Sequence, residues 1–344
     1  MNSANEFHAK NQFAAKVLRM TQSAFIRTPI SHTSPPHRVS VVIPVLNGAD
    51  VISEQLEALT VQHYDGEWEV VVADNGSTDN LAEVVARFDQ RLPGLRIIDA
   101  SAMPGVGPAR NLGVLAASGD AALFCDADDV CSPLWVASMA NALATSPVVG
   151  GPNMIENRDG TTIEANVDLP TEKSTGVMFA IGGNFGIWID VLDELGGFDH
   201  SYPSTKGDDV ALCMSAWEHG YATTFAPGAL IVKRPRGTTR ALFQQFRGYG
   251  SGSMFNAYRF RDRFDTRGMF PAMFTIAARM FVWELRVLAW MFVHLAAITT
   301  GNGRRRWVRW FGRQTGMIEG LIIYRKVDVL PRPVAAQTFP RQPR

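Results

Sequence analysis

Four short apolar runs, each closing in a polar turn and separated by stretches of helical spacing, leave this chain very few architectures. The runs are 39–44, 68–73, 95–98 and 121–124. Near-continuous Val/Ile/Leu segments of this length read as strands buried on both faces, the hallmark of parallel sheets. The segments between them, 49–62, 81–88 and 105–117, carry apolar residues at helical intervals. This β-α-β-α-β-α-β alternation predicts an α/β fold, a doubly wound and mostly parallel sheet.

In such a sheet the strand C-termini share one edge, and ligands bind in the crevice outside it. Every strand end here is polar. The first ends in Pro44-Val45-Leu46-Asn47, the second in Asp74-Asn75-Gly76-Ser77-Thr78-Asp79, and the fourth in Asp126-Ala127-Asp128-Asp129. The third helix opens with Gly105-Val106-Gly107-Pro108-Ala109-Arg110. Asp74 can accept hydrogen bonds from a base or ribose, and Arg110 can pair with a diphosphate. Asp126 and Asp128 can hold Mg²⁺ or Mn²⁺, hard cations that take oxygen ligands. The plainer alternative for the acidic run is a charged turn, or a helix N-cap at Asp129 ahead of Pro133. For Asp208-Asp209 it is an N-cap pair on the helix that follows. Gly105-Val106-Gly107 lacks the third glycine of a dinucleotide fingerprint, because position 110 is arginine.

The net charge is zero but unevenly spread. Residues 1–232 hold 12 Lys/Arg against 28 Asp/Glu, and residues 233–344 hold 21 against 5. A basic C-terminal part suggests an anionic partner. Its arginines are interleaved with apolar stretches, which favours an anionic membrane surface over nucleic acid. Within 269–300, Arg279, Glu284 and Arg286 interrupt the apolar run. A membrane span needs about 20 uninterrupted residues, so helices lying in the interface are expected, peripheral or monotopic. The three cysteines, Cys125, Cys131 and Cys213, show no metal-type spacing and read as reduced thiols. The expected organisation is a flexible leader over 1–38, the α/β domain over 39–236, a basic apolar helical extension over 237–330, and a tail over 331–344.

The order of these motifs resembles a family 2 glycosyltransferase of the GT-A fold, of the membrane-associated type. The resemblance continues through Gly182-Gly183-Asn184, Gly196-Gly197-Phe198-Asp199 and Gly207-Asp208-Asp209, and covers about residues 38–250. It implies an inverting transferase that moves a sugar from a nucleotide-diphosphate donor, a UDP- or GDP-sugar, to a hydroxyl of a glycan or lipid-linked acceptor. It implies Asp209 as general base with Asp208 beside it. A donor site of Pro44, Val45, Asn47, Asp74, Gly76, Ser77, Arg110 and Asp126 follows, with Mg²⁺ or Mn²⁺ on Asp126 and Asp128. Gly183, Asn184, Gln244 and Arg247 are the expected acceptor residues, the last two from a Gln-x-x-Arg-x-Tyr-Gly segment. Where related sequences often carry a histidine after the next strand, this chain has Lys233-Arg234, which meet either the diphosphate or solvent. The expected setting is the cytoplasmic face of the cell membrane, in cell-envelope polysaccharide synthesis.

Two other classes share parts of this pattern. A sugar-phosphate nucleotidyltransferase needs a glycine-rich loop with Arg and Lys after the first strand, and Pro44-Val45-Leu46-Asn47-Gly48 supplies neither cation. A non-catalytic nucleotide- or glycan-binding protein on the same fold would have no need to keep Asp74, Asp126, Asp128 and Asp209 together.

Overall fold

A computed structural model describes residues 29–157, 159–172, 176–199, 202, 206–234, 238–260 and 301–324. The interfacial helices expected over 269–300 lie outside the described residues. Among the described residues no helix is long and apolar enough to cross a membrane.

The expected alternation is present. It runs β1 (Arg38–Val45), α1 (Ile52–Thr60), β2 (Glu67–Asp74), α2 (Leu81–Ala86), β3 (Arg96–Asp99), α3 (Val106–Ala116) and β4 (Ala121–Cys125). After these come β5 (Asp129–Cys131), α4 (Trp135–Leu143), β6 (Val148–Gly150), β7 (Asn153–Glu156), β8 (Thr162–Asn166) and β9 (Asn184–Trp188). The next elements are α5 (Ile189–Leu195), α6 (Asp208–Glu218), β10 (Thr223–Phe225), β11 (Ile231–Lys233) and α7 (Thr239–Arg259). Helix α8 (Gly301–Tyr324) is the last described element.

The seven-stranded sheet has the order β10-β6-β9-β4-β1-β2-β3. Its pairs are parallel except at β9, which runs antiparallel to both β4 and β6. The core strands are buried along nearly their whole length, as their unbroken apolar sequences require. Gly113 lets α3 press onto β1, because a Cβ there would collide with Val42 Cγ1.

A second sheet, ordered β5-β11-β7-β8, stands beside the first. Asp129 therefore begins a strand paired with β11 and does not cap a helix, since the following helix starts only at Trp135. β8 is an edge strand on β7. The acidic turn Asp126–Asp128 is the crossing from one sheet to the other.

Below the sheet, at the N-terminal ends of the strands, Glu69 is buried and gathers Arg38, Arg96, Ser40 and Ser118. The described part of the leader lies against the domain. Ile30 donates its N–H to the Tyr221 hydroxyl, and His32 stacks on Trp188 with ring centroids 3.5 Å apart.

Helices α7 and α8 pack closely through glycine. A Cβ at Gly250 would meet the Arg313 carbonyl oxygen, and one at Gly316 the Arg247 carbonyl oxygen. On its other side, α7 supports the segment leading into α6. Gly252 abuts the Lys206 carbonyl, Asn256 Nδ2 donates to the Gly207 carbonyl at 3.1 Å, and Tyr202 donates to Asn256 Oδ1. Arg259 is buried in an ion pair with Asp199.

Candidate active site

The loops after β1 and β2 are tied to each other. Asn47 adopts a left-handed backbone with φ 51°, a conformation asparagine tolerates better than most residues. Its Oδ1 accepts the Thr78 N–H at 2.8 Å, and its own N–H donates to Ser77 Oγ at 2.9 Å. Asp74 Oδ1 accepts the Ser77 N–H at 2.8 Å and turns the loop through Gly76, whose φ of 92° favours glycine. Asn75 bonds to the carbonyls of Ala100 and Met103, and its Oδ1 accepts the Gly105 N–H. The end of β2 thus also fixes the start of α3. Asp74 and Ser77 stay half-buried and Gly76 exposed along this wall. Pro44 and Val45 are buried, and the Val45 carbonyl accepts the Asn75 N–H. They back the wall.

Across from this wall the carboxylates converge on Arg110, whose side chain is 5% exposed. Its guanidinium donates to Asp126 Oδ1 at 3.1 Å and stands 3.7 Å from Asp208 Oδ2. It also lies over the Phe198 ring, 5.3 Å from the centroid. The guanidinium thus stands between two carboxylates, with N–H donors to spare beyond its bond to Asp126. Burial acts to raise the Asp126 pKa, but the positive charges of Lys233, Arg110 and Lys206 outweigh it and hold it at about 2. Lys233 Nζ hydrogen-bonds Asp129 and stands 3.6 Å from Asp126 Oδ2. Burial would lower the lysine, yet Asp129 and Asp126 keep it above the ordinary lysine value.

Asp208 and Asp209 lie in the first turn of α6 behind Gly207, and Asp209 Oδ1 accepts the Val210 N–H at 2.8 Å, so the pair also serves the helix N-terminus. Asp209 Oδ2 accepts the Gly182 N–H at 2.8 Å. Asp208 is buried, and a Cβ at Gly107 would be 3.0 Å from its Oδ2, so the opening of α3 faces it. Burial pushes Asp208 up to about 6, Arg110 opposes this and the neighbouring Asp209 adds to it.

The pattern of Glycosyl transferase family 2 matches residues 40–196, and that of Glycosyl transferase family group 2 matches residues 123–311, more than half of the chain. The glycosyltransferase AglE of Haloferax volcanii is 32% identical over 219 residues, covering 61% of this chain and 71% of that protein. The chain belongs to the family 2 glycosyltransferases. The succinoglycan biosynthesis protein ExoA of Rhizobium meliloti is 27% identical to this transferase over 74% of the chain and 79% of its own length. Among solved structures, the mannosyltransferase PcManGT of Pyrobaculum calidifontis, in complex with GDP-Man and Mn²⁺, shares the fold. The TM-score is 0.55 at 21% identity, over 94% of this chain and 97% of that one.

The expected acceptor residues of the transferase lie in different surroundings. Asn184 is fully buried, accepting from Trp135 Nε1 and donating to the carbonyls of Pro152 and Ala229. It joins the two sheets and offers nothing to a ligand. Gly183 lies against Asp126 and Lys233, because a Cβ there would run into Asp126 Oδ2 and lie 2.9 Å from Lys233 Nζ. Arg247 is exposed on α7 and paired with Glu319 of α8 at 2.7 Å. Gln244 is exposed on the same helix, which continues through Gly248 to Arg259.

Nothing in the sequence pointed to Asn256 or Arg259. The Asp129–Lys233 pair was half visible, as a cation at a strand end without its buried partner. The chemistry of the Asp126 and Asp128 donor set fits a hard divalent cation, provided that donor phosphates complete its shell. Among the described residues no group of three or more His, Cys, Asp or Glu could hold a metal alone.

Proposed function

We propose that this transferase is an inverting enzyme. It would move one sugar from a UDP- or GDP-sugar to a hydroxyl of a glycan or lipid-linked acceptor at the cytoplasmic face of a membrane. The observation that carries this reading is the shared guanidinium of Arg110, which joins the donor-side carboxylate Asp126 to the acid pair opening α6. A donor held between Asp74 and Asp126 would then present its anomeric carbon toward that pair.

In the reaction, the acceptor oxygen forms a bond to the anomeric carbon as the bond to the diphosphate oxygen breaks. The bonding electron pair leaves with the nucleoside diphosphate. Asp209, half-buried and held by the Gly182 N–H, takes the acceptor proton as general base. Asp208, buried behind it on Arg110, orients the turn and stays out of reach of solvent. Mg²⁺ or Mn²⁺, held by Asp126 and Asp128, would supply charge neutralisation to the leaving diphosphate. The binding of GDP-Man and Mn²⁺ by PcManGT supports this donor class without fixing the sugar. The arginine-rich start of α8 supports a headgroup contact.

The test is release of nucleoside diphosphate from a panel of sugar nucleotides with Mn²⁺, for the wild type and Asp209→Asn. One productive donor, with release lost in the variant, is the expected result. Release of pyrophosphate instead would move the reading to nucleotidyl transfer.

A further inference from the structure

Resting on the donor reading above, we propose that Lys233 is a resident cation of the donor-phosphate pocket. In this role it binds the diphosphate directly and makes part of donor binding independent of a divalent metal.

The argument starts with placement. Lys233 ends β11, which lies between β5 and β7 in the second sheet. That register aligns Lys233 with Asp129 and brings its side chain up beside the Asp126–Asp128 turn. Its Nζ meets Asp129 and stands 3.6 Å from Asp126 Oδ2, yet the side chain remains 22% exposed. An ammonium carries three N–H donors. Asp129 takes one and Asp126 lies close to a second, which leaves one for an anion arriving from solvent. Gly183 keeps the approach open, since a Cβ there would crowd Asp126 Oδ2 and Lys233 Nζ together.

Charge balance points the same way. Asp126, Asp128 and Asp129 set three carboxyl groups in one turn. Alone they would repel a diphosphate unless a metal came first. Lys233, Arg110 and Lys206 bring three positive charges to bear on Asp126. Arg110 is buried beneath the pocket and bridged to two carboxylates. Lys206 leans over the Tyr249 ring at 5.4 Å. Lys233 is the cation that is both held in place by carboxylates and open to solvent. As the diphosphate leaves the sugar, a proton-bearing ammonium donates a hydrogen bond to the oxygen that keeps the electron pair, and it remains protonated throughout.

The experiment is calorimetric binding of UDP, GDP, ADP and dTDP to the full chain, in EDTA and in Mn²⁺. It compares the wild type, Lys233→Arg, Asp129→Asn, and the double variant Lys233→Met with Asp129→Asn. The double variant removes the buried pair together, so no uncompensated carboxylate is left behind. Expected is metal-free binding of one nucleotide by the wild type, retained by Lys233→Arg and by Asp129→Asn. In the double variant it weakens at least tenfold. In Mn²⁺ that gap narrows to a few-fold. If wild-type binding requires Mn²⁺ outright, or the double variant binds in EDTA as the wild type does, the proposal is overturned and the donor reading stands. If no nucleotide binds the wild type in either buffer, both fall.

Discussion

At the scale of single residues, Asp208 and Asp209 are neighbours with opposite constraints. Asp209 is half-buried on a backbone N–H, whereas Asp208 is buried beside a guanidinium. Replacing Asp209 with Asn should lower kcat by roughly 10²–10⁴-fold, the usual worth of a positioned base. Nucleoside diphosphate affinity should change less than twofold; a matching loss of affinity would move Asp209 out of the base role. Asp208 behaves differently because its carboxyl, raised to about 6 from 3.8, holds its proton longer in the folded state than in the unfolded one. Ionising it therefore costs stability as pH rises through that window, with the full cost present above it. Asp208→Asn should raise the melting temperature by a few degrees at pH 7.5 while lowering activity, and the gain should vanish near pH 4. Equal melting at pH 7.5 would refute this. Residues that end strands, such as Asp74, Asn47 and Asp126, were legible in the sequence because a strand end fixes which edge they occupy. Asn184 and Arg247 were not. A motif gives neighbourhood along the chain, and only packing decided that one amide faces the second sheet and one guanidinium faces α8.

At the scale of elements, the parallel strands have polar functions at both ends. Glu69 at the lower end accepts from Arg96, Arg38, Ser40 and Ser118 and joins β1, β2 and β3 with the turn before β4. Burial would raise its pKa, but these donors, Arg96 foremost, bring it from 4.5 down to about 2. The stabilisation is complete above 4.5 and is lost as pH falls through 2, on the order of 3 kcal/mol in all. Glu69→Gln should lose about that much in urea unfolding at pH 7, and much less at pH 3. A loss under about 1 kcal/mol at pH 7 would show that the network is a surface-like pairing. The sequence announced β1 to β4 because each is a single apolar run. It was silent on β5 and β8, three and five residues long, which owe their existence to pairing across the second sheet.

At the scale of the whole molecule, α7 and α8 are read from sequence as a membrane-facing extension, whereas in the structure α7 packs on the turn that opens α6. Gly252 has no room for a side chain against the Lys206 carbonyl, three residues before Asp209. Gly252→Val should lower kcat at least tenfold by displacing that turn, with nucleotide affinity little changed and without any membrane in the assay. Unaltered turnover in detergent-free solution would confine the helices to anchoring.

Arg110 carries a consequence of its own. One guanidinium stands between Asp126 and Asp208, so under the proposed roles the donor half and the base half are coupled. Substitutions on the two sides should not combine as independent factors. Neutralising Asp126 leaves the guanidinium to Asp208 alone, and neutralising both strands a buried cation. Under those roles, retuning the donor pocket disturbs the acid pair, so a change at one site is felt at the other.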